Sequence, residues 1–262
     1  MASYTLASPT NNDHFDSSTM KPTVLLLRGW TPGPVYALRN RLQTEFDCDV
    51  IEPNLLMPPF YGIWCLDTNF LLMLLVCGGL LWSLVKVWVQ FESLERFTFL
   101  AILVAFGIFW IRLMVAVVAR SAIADGVEKC LKEMRRRNVV LCVGFSWGAG
   151  VLTELLTKDI GLDTRPAFVL MAPVSSATAM AAMRDDAAFR LRPLDNNDLV
   201  HVVHASHDPV FCPHPERWNN IPGIKAYTLS DVHIFKNASS RRALEETVTG
   251  LYRLKTEGHQ EP

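Results

Sequence analysis

The sequence predicts an α/β fold, a mainly parallel sheet with helices on both faces. Short apolar runs of strand length alternate with longer segments that have helical spacing of apolar residues. Strands that alternate with helices in this way form parallel sheets covered on both sides. Two long apolar segments interrupt the alternation after its second strand. We therefore expect one folded domain that carries an apolar insertion.

The first half of the pattern is short. Residues 23–27 (TVLLL) form an apolar run typical of a buried strand. Residues 34–46 have helical spacing at Tyr36, Leu38, Leu42 and Phe46. Residues 49–52 predict a second strand, which Pro53 closes.

The second half resumes after the insertion. Residues 120–137 predict an amphipathic helix, with Ile123, Val127, Cys130 and Leu131 on one face. Strands are predicted at 139–143, 167–171, 199–204 and 224–229. Helices are predicted at 147–156, at the Ala- and Met-rich segment 175–190, and at 241–255. Residues 1–20 are rich in Ser, Thr, Asn and Asp and predict a flexible tail.

The insertion has the composition of a membrane hairpin. Residues 70–89 are apolar at 16 of 20 positions and residues 97–119 at 20 of 23. Crossing a bilayer takes about 20 such residues. Lys86 and Arg112 lie near the segment ends, where long side chains reach the headgroups. We expect residues 69–119 to form a transmembrane hairpin, and residues 21–68 and 120–258 to form the domain. A re-entrant or interfacial hairpin and a buried helical pair are the alternatives.

The distribution of basic residues orients the hairpin. Six lysines and arginines follow the second apolar segment between Arg120 and Arg137, whereas the connector 90–96 has only Arg96. Because basic residues stay on the cytosolic side, we expect two spans with the domain in the cytosol. The lipid bilayer is thus the first predicted partner.

Composition excludes several other classes. The chain has 25 Lys and Arg against 26 Asp and Glu, a formal net charge of −1, which argues against nucleic-acid binding. Its six cysteines lack CxxC spacing, as expected of reduced thiols. No glycine-rich phosphate loop is present in the sequence, and we expect no cofactor.

The strongest motif is G-x-S-x-G at residues 144–148, between an apolar strand and a helix. Small residues around Ser146 allow the tight turn that exposes a nucleophile at the strand tip. The amino end of the following helix would favour developing negative charge.

A serine nucleophile needs a base and an acid that orients it. His233 and Asp208 each lie just past a predicted strand, at the edge where parallel sheets bind ligands. Asp231 is a competing acid, but only two residues separate it from His233. A rival interpretation is a zinc site, since His201, His204, His207, Asp208, Cys212 and His214 are close in sequence. On a strand His201 and His204 point to opposite faces, so we expect no metal.

Three blocks of sequence resemble the α/β-hydrolases, in particular their dienelactone hydrolase-like branch. GFSWGAG is similar to the nucleophile turn, HASHDPVFCP to the acid loop, and HIF to the histidine segment. The resemblance implies Ser146 as nucleophile, Asp208 as acid and His233 as base. It also implies an oxyanion hole built from the backbone amides of Trp147 and Trp30. Many relatives carry His-Gly where this chain has Arg28-Gly29, and Arg28 could bind an acidic substrate group or form a structural ion pair.

These patterns predict a membrane-anchored serine hydrolase that cleaves an ester or thioester through an acyl-enzyme. A site near a bilayer favours a lipid, acyl-CoA or acylated-protein substrate. A catalytically inactive hydrolase fold that acts as a membrane adaptor is the main alternative, and a metal-dependent hydrolase is the third. The sequence identifies no protein partner and no organelle.

Overall fold

A computed structural model describes residues 21–29, 33–55, 78, 79, 82, 86, 93–158, 165–191, 199–208 and 215–257. Its six strands are β1 (Thr23–Leu27), β2 (Asp49–Ile51), β3 (Val139–Phe145), β4 (Ala167–Met171), β5 (Val200–His207) and β6 (Ile224–Val232). Its longer helices are α1 (Val35–Glu45), α2 (Ser93–Arg136), α3 (Trp147–Leu156), α4 (Ser175–Ala181) and α5 (Ala238–Glu257). Two 3₁₀ helices cover Ala187–Arg190 and Pro215–Asn220.

The sheet has the strand order β2-β1-β3-β4-β5-β6, and every neighbouring pair is parallel. The predicted parallel sheet with helices is confirmed. Because all six strands run the same way, their carboxyl ends share one edge of the sheet. We call this the carboxyl edge and the opposite one the amino edge.

Alternate residues of the strands enter two separate cores. Leu25 and Leu27 pack with α2 and α3 on one face, whereas Val24 and Leu26 pack with α1 and α5 on the other. All four side chains are fully buried. This period of two is the expected behaviour of strands covered on both faces.

Helix α2 joins two segments that the sequence suggested were separate. The apolar stretch 97–119 and the amphipathic stretch 120–137 form one helix of 44 residues, about 66 Å long at 1.5 Å per residue. No glycine or proline interrupts the chain between Trp110 and Ile123. The residues of this helix that enter the core next to the sheet start at the end of the apolar stretch and continue through the amphipathic one: Ala119, Ile123, Val127 and Cys130.

The predicted helix 175–190 is wrong in its second half. Helix α4 ends at Ala181, Met183 has a positive φ of 49°, and a 3₁₀ turn follows. The left-handed backbone at Met183 is incompatible with a continuing helix, and Asp186 then starts the 3₁₀ turn, where its carboxylate accepts the Ala188 N–H at 3.0 Å. Strands β5 and β6 extend three residues beyond their predicted ends, up to the residues before Asp208 and His233.

Among the described residues, one helix is long and apolar enough to cross a membrane. It covers Leu100–Arg136, with an 18-residue window of mean hydropathy 2.5, of which 6% is buried. Most of the first predicted span, residues 70–89, lies outside the described residues, as do the tail 1–20 and Trp30.

Candidate active site

Ser146 occupies the tight turn between β3 and α3. Its backbone has φ 52° and ψ −113°, a conformation that residues with a side chain rarely adopt. Two hydrogen bonds fix it: the Ser146 N–H donates to Met171 O at 2.9 Å, and the Gly150 N–H donates to Ser146 O at 3.0 Å. Such local strain is typical of functional positions, where the surrounding structure holds it in place.

Three glycines allow the close backbone approach that the turn at Ser146 requires. A Cβ on Gly144 would lie 2.8 Å from the backbone of Ala149, and one on Gly148 would lie 2.4 Å from Leu27 O. A Cβ on Gly29 would lie 2.6 Å from the Cβ of Ser146. Any side chain at these positions would push the helix, the strand or the serine aside. Gly29 was not assigned this role from the sequence, although a glycine directly after an early strand is the signal for it.

The structure brings Ser146, His233 and Asp208 together. His233 Nε2 lies 2.9 Å from Ser146 Oγ, and His233 Nδ1 lies 2.5 Å from Asp208 Oδ2. With the Nδ1 proton donated to the carboxylate, Nε2 can accept the serine proton. Ser146 is 9% exposed and Asp208 5% exposed. The geometry suits a general base that activates a serine.

Asp231 anchors the loop that carries His233. Its carboxylate accepts the backbone N–H groups of Val232, Lys236 and Asn237 at 2.7, 3.1 and 2.8 Å. Burial raises the pKa of Asp231, but these backbone bonds and the Ser240 hydroxyl outweigh it and lower the pKa below its usual value. The competing acid therefore binds backbone rather than the His233 ring.

Aromatic packing supports His233 from within the sheet. The fully buried ring of Phe145, the residue before Ser146, lies 5.5 Å from the His233 ring between centroids. The same ring would clash with a Cβ on Gly33, at 2.3 Å. The second residue of the G-x-S-x-G motif thus lies against both the base and Gly33.

The neighbouring histidines stay neutral. His204 is 1% exposed on β5, against the Trp218 ring, and burial lowers its pKa to about 4 although Asp208 raises it in part. Burial likewise lowers the pKa of His201 to about 4, and its ring lies against Tyr227. Among the residues with assigned positions, no group of three or more His, Cys, Asp or Glu could hold a metal. Cys212 and His214 lie outside them.

Of the two expected oxyanion donors, the described residues include Trp147 but not Trp30. Trp147 is the first residue of α3, and the amide groups of a first helical turn have no acceptor within the helix. Trp30 lies outside the described residues, whereas Gly29, beside it in sequence, adjoins Ser146. Arg28 is exposed at the end of β1, and within the parts of the chain that the structure covers it has no ion pair.

An ion cluster that the sequence did not reveal ties the segment after β4 to the nucleophile helix. Glu154 of α3 is 5% exposed, and its Oε2 accepts from Arg184 at 3.0 Å and from Arg190 at 2.6 Å. Arg217 binds Asp186 at 2.9 Å in the same region. The charges are far apart in sequence, so no local pattern pairs them.

No family model and no curated protein matches this sequence. Solved structures do match. Ferulic-acid-bound Est1E from Butyrivibrio proteoclasticus is 11% identical, with a TM-score of 0.50 over 96% of this chain and 94% of that one. A chain described as a hydrolase of the alpha/beta superfamily from Xanthomonas campestris pv. campestris is 15% identical, covering 88% and 98% of the two chains with a TM-score of 0.44. A thermophilic esterase from Thermogutta terrifontis is 9% identical, covering 95% and 88%, with a TM-score of 0.47.

The chain therefore has an α/β-hydrolase-like fold. The likeness to Est1E and the parallel strand order carry this conclusion. At 11% identity the likeness to Est1E indicates the fold and not the reaction.

Proposed function

We propose that this protein is a membrane-anchored serine hydrolase that cleaves an ester or thioester. The observation that carries the proposal is the pair of contacts of His233, with Ser146 Oγ at 2.9 Å on one side and Asp208 Oδ2 at 2.5 Å on the other. A strained serine at a strand-to-helix turn, within reach of a base held by a buried acid, is the arrangement that acyl transfer requires.

The reaction would run in two halves. Ser146 Oγ attacks the acyl carbonyl carbon while His233 Nε2 takes the hydroxyl proton, and Asp208 stabilises the resulting imidazolium. The Trp147 amide, and that of Trp30 as second donor, would bind the oxyanion. The C–O or C–S bond then breaks, and His233 protonates the leaving alcohol or thiol. Water, activated by the same histidine, releases the acid and restores Ser146.

Labelling with a fluorophosphonate probe tests the chemistry, since the probe reacts only with an activated serine. We expect the full chain in membranes to label, and Ser146→Ala and His233→Ala to lose labelling. Ser206→Ala and His207→Ala are matched controls, because both residues lie beside Asp208 but outside the relay. Absence of labelling in the folded parent chain would refute the hydrolase and favour the adaptor.

The anchoring part of the proposal is supported by helix α2. Large apolar side chains along its first half are exposed, among them Ile102, Val104, Phe106, Ile108 and Phe109. Residues 97–119 would span about 35 Å at 1.5 Å per residue, against a hydrocarbon core of about 30 Å. An exposed apolar surface of this extent in water would cause aggregation, whereas lipid tails would cover it.

A topology reporter tests the anchoring separately. We expect a reporter inserted in the connector 90–96 to lie on the lumenal or outer side, and one at the carboxyl terminus to lie in the cytosol. Both reporters on the cytosolic side would refute two spans, and extraction of the chain by alkaline carbonate would refute anchoring altogether.

A further inference from the structure

Helix α2 leaves the domain at the carboxyl edge, where the candidate active site lies. The helix ends at Arg136 and β3 starts at Val139, on the amino edge, so the helix runs antiparallel to the strands. Strand β3 has seven residues, about 23 Å, which about 15 helical residues match. The helix therefore reaches the carboxyl edge near Arg120, and its apolar first half projects beyond that edge.

Contacts of Arg120 agree with this geometry. Its guanidinium donates to the carbonyl oxygens of Ala182 and Met183 at 2.7 and 3.0 Å. Both carbonyls belong to the segment 172–191, which follows β4 and so also starts at the carboxyl edge. The point where the apolar helix leaves the domain is thus joined directly to this segment.

The same segment exposes three large apolar side chains. Met180 is 66% exposed, Met183 44% and Phe189 69%. We call these three residues the apolar patch. Single exposed apolar residues are common, but three within ten residues, beside the exit of an apolar helix, form an unusual surface.

Arginines hold the patch in place and surround it. Arg184 and Arg190 share the carboxylate of Glu154, and the Arg217 guanidinium lies 4.6 Å from the Phe189 ring centroid. Glu154, Asp185 and Asp186 balance the charges of Arg184, Arg190 and Arg217, so the arginines supply guanidinium groups beside the patch and no net positive charge. Guanidinium groups bind phosphate well, and basic side chains near a membrane favour anionic headgroups.

We infer that the carboxyl edge lies against the bilayer that holds α2, with the apolar patch inserted at the boundary between headgroups and acyl chains. This inference rests on the anchoring part of the proposed function. It has a consequence for the substrate class: Ser146 would face the membrane, so the ester or thioester would be one whose acyl chain lies in the bilayer. A water-soluble substrate would have to enter between the domain and the lipid.

Photo-crosslinking tests the contact without any need for activity. The full chain, with p-benzoylphenylalanine in place of Phe189, is placed in vesicles of phosphatidylcholine with a minor share of phosphatidylserine and irradiated. Leu254 is the matched control: it is 56% exposed, and its neighbour Lys255 binds Arg165 O upstream of β4, at the amino edge. We expect lipid adducts at position 189 and few at 254. Equal yields at both positions, or adducts of 189 mainly with a second copy of the chain, would overturn the inference.

Kinetics separate this inference from the proposed chemistry. We expect Phe189→Glu to lower the rate on a long-chain ester embedded in the vesicles by about tenfold or more, because a charge replaces an inserted ring. Hydrolysis of a short soluble ester and fluorophosphonate labelling should remain within about twofold of the parent, as should both rates in Leu254→Glu. An unchanged rate of Phe189→Glu on the embedded ester would refute docking. Lipid adducts at 189 without labelling of Ser146 would refute the chemistry alone.

Discussion

Alanine substitutions of Gly148 and Gly150, both in α3, distinguish the steric requirement of the Ser146 turn from the effect of helix propensity. In Gly148→Ala the new Cβ would lie 2.4 Å from Leu27 O, 2.6 Å from Leu27 C and 2.7 Å from Leu27 Cβ. Two of these three atoms are backbone atoms of β1, which is paired on both sides, and cannot rotate away. In Gly150→Ala the nearest atoms are Thr178 Cγ2 at 3.4 Å and Val174 Cγ2 at 3.6 Å, which are ordinary contacts.

The expected magnitudes follow from these distances. To restore ordinary contact, the amino end of α3 must move by about 1 Å, and such overpacking costs about 1–3 kcal/mol. Both substitutions gain similar helix propensity, so this gain, about 1 kcal/mol, cancels in their difference. We expect Gly148→Ala to be about 2 kcal/mol less stable than Gly150→Ala, a difference in Tm of about 4–8 °C. Displacing Ser146 and the Trp147 amide by about 1 Å should also lower activity by about 100-fold.

Thermal unfolding and kcat/KM on a short soluble ester measure the two effects. Gly150→Ala should unfold at or above the temperature of the parent chain and retain its activity. If Gly148→Ala matched Gly150→Ala in both Tm and kcat/KM, the tight approach of α3 to β1 would not be what positions the nucleophile.

Three further predictions concern the surroundings of the site. Asp231→Asn should lose about 1–3 kcal/mol of stability, because an amide accepts the backbone N–H groups around the His233 loop less well than a carboxylate. Chemical denaturation at neutral pH measures this loss, and an unchanged stability would contradict the anchoring role. Burial lowers the pKa of His204 to about 4 in the folded chain. Between about pH 6.5 and 4, therefore, the imidazole binds a proton in the unfolded chain but not in the folded chain. Stability should therefore fall as the pH drops through this range, and a His204→Gln variant should show a flatter pH dependence; equal slopes would refute this assignment. Arg28→Gln should raise KM about tenfold for an ester substrate that carries a carboxylate near the ester group. The kcat for that substrate and the KM for neutral esters should not change, and an equal rise in KM for neutral esters would point to a structural role.

Much of the fold was predictable because strand signals are local. The apolar runs at 23–27 and 167–171 coincide with β1 and β4, and buried parallel strands read as continuous apolar sequence. The order of Ser146, Asp208 and His233 along the chain could be tied to strand ends, and strand ends of a parallel sheet share an edge. Their distances could not be predicted, because they depend on how far β5 and β6 extend.

The remaining features depend on contacts between distant segments. Residues 175–190 have the composition of a helix, but the helix ends at Ala181 and a separate 3₁₀ turn follows. Asp186 caps that turn and binds Arg217, 31 residues away. The predicted boundary between the apolar segment 97–119 and the amphipathic segment 120–137 rested on a change in polarity. Such a change marks where the environment of a helix changes, and the helix itself continues through it. The role of Gly29 depends on the pairing of β1 with β3, which places Gly29 next to Ser146.

The position of the apolar insertion in the chain constrains which edge would face a membrane if the proposed anchoring holds. Strand β2 ends at Ile51 on the carboxyl edge, and α2 returns from that edge to reach the amino end of β3. In a parallel sheet, every connection from a strand to its following helix starts at the carboxyl edge, and every connection from a helix to a strand lies at the amino edge. Ile51 and Arg120, which flank the apolar insertion, therefore both lie at the edge that carries the candidate active site. The same apolar sequence inserted between α2 and β3 would emerge on the opposite side and leave Ser146 facing water. The place of the insertion, more than its composition, would link the proposed anchoring to the proposed substrate class.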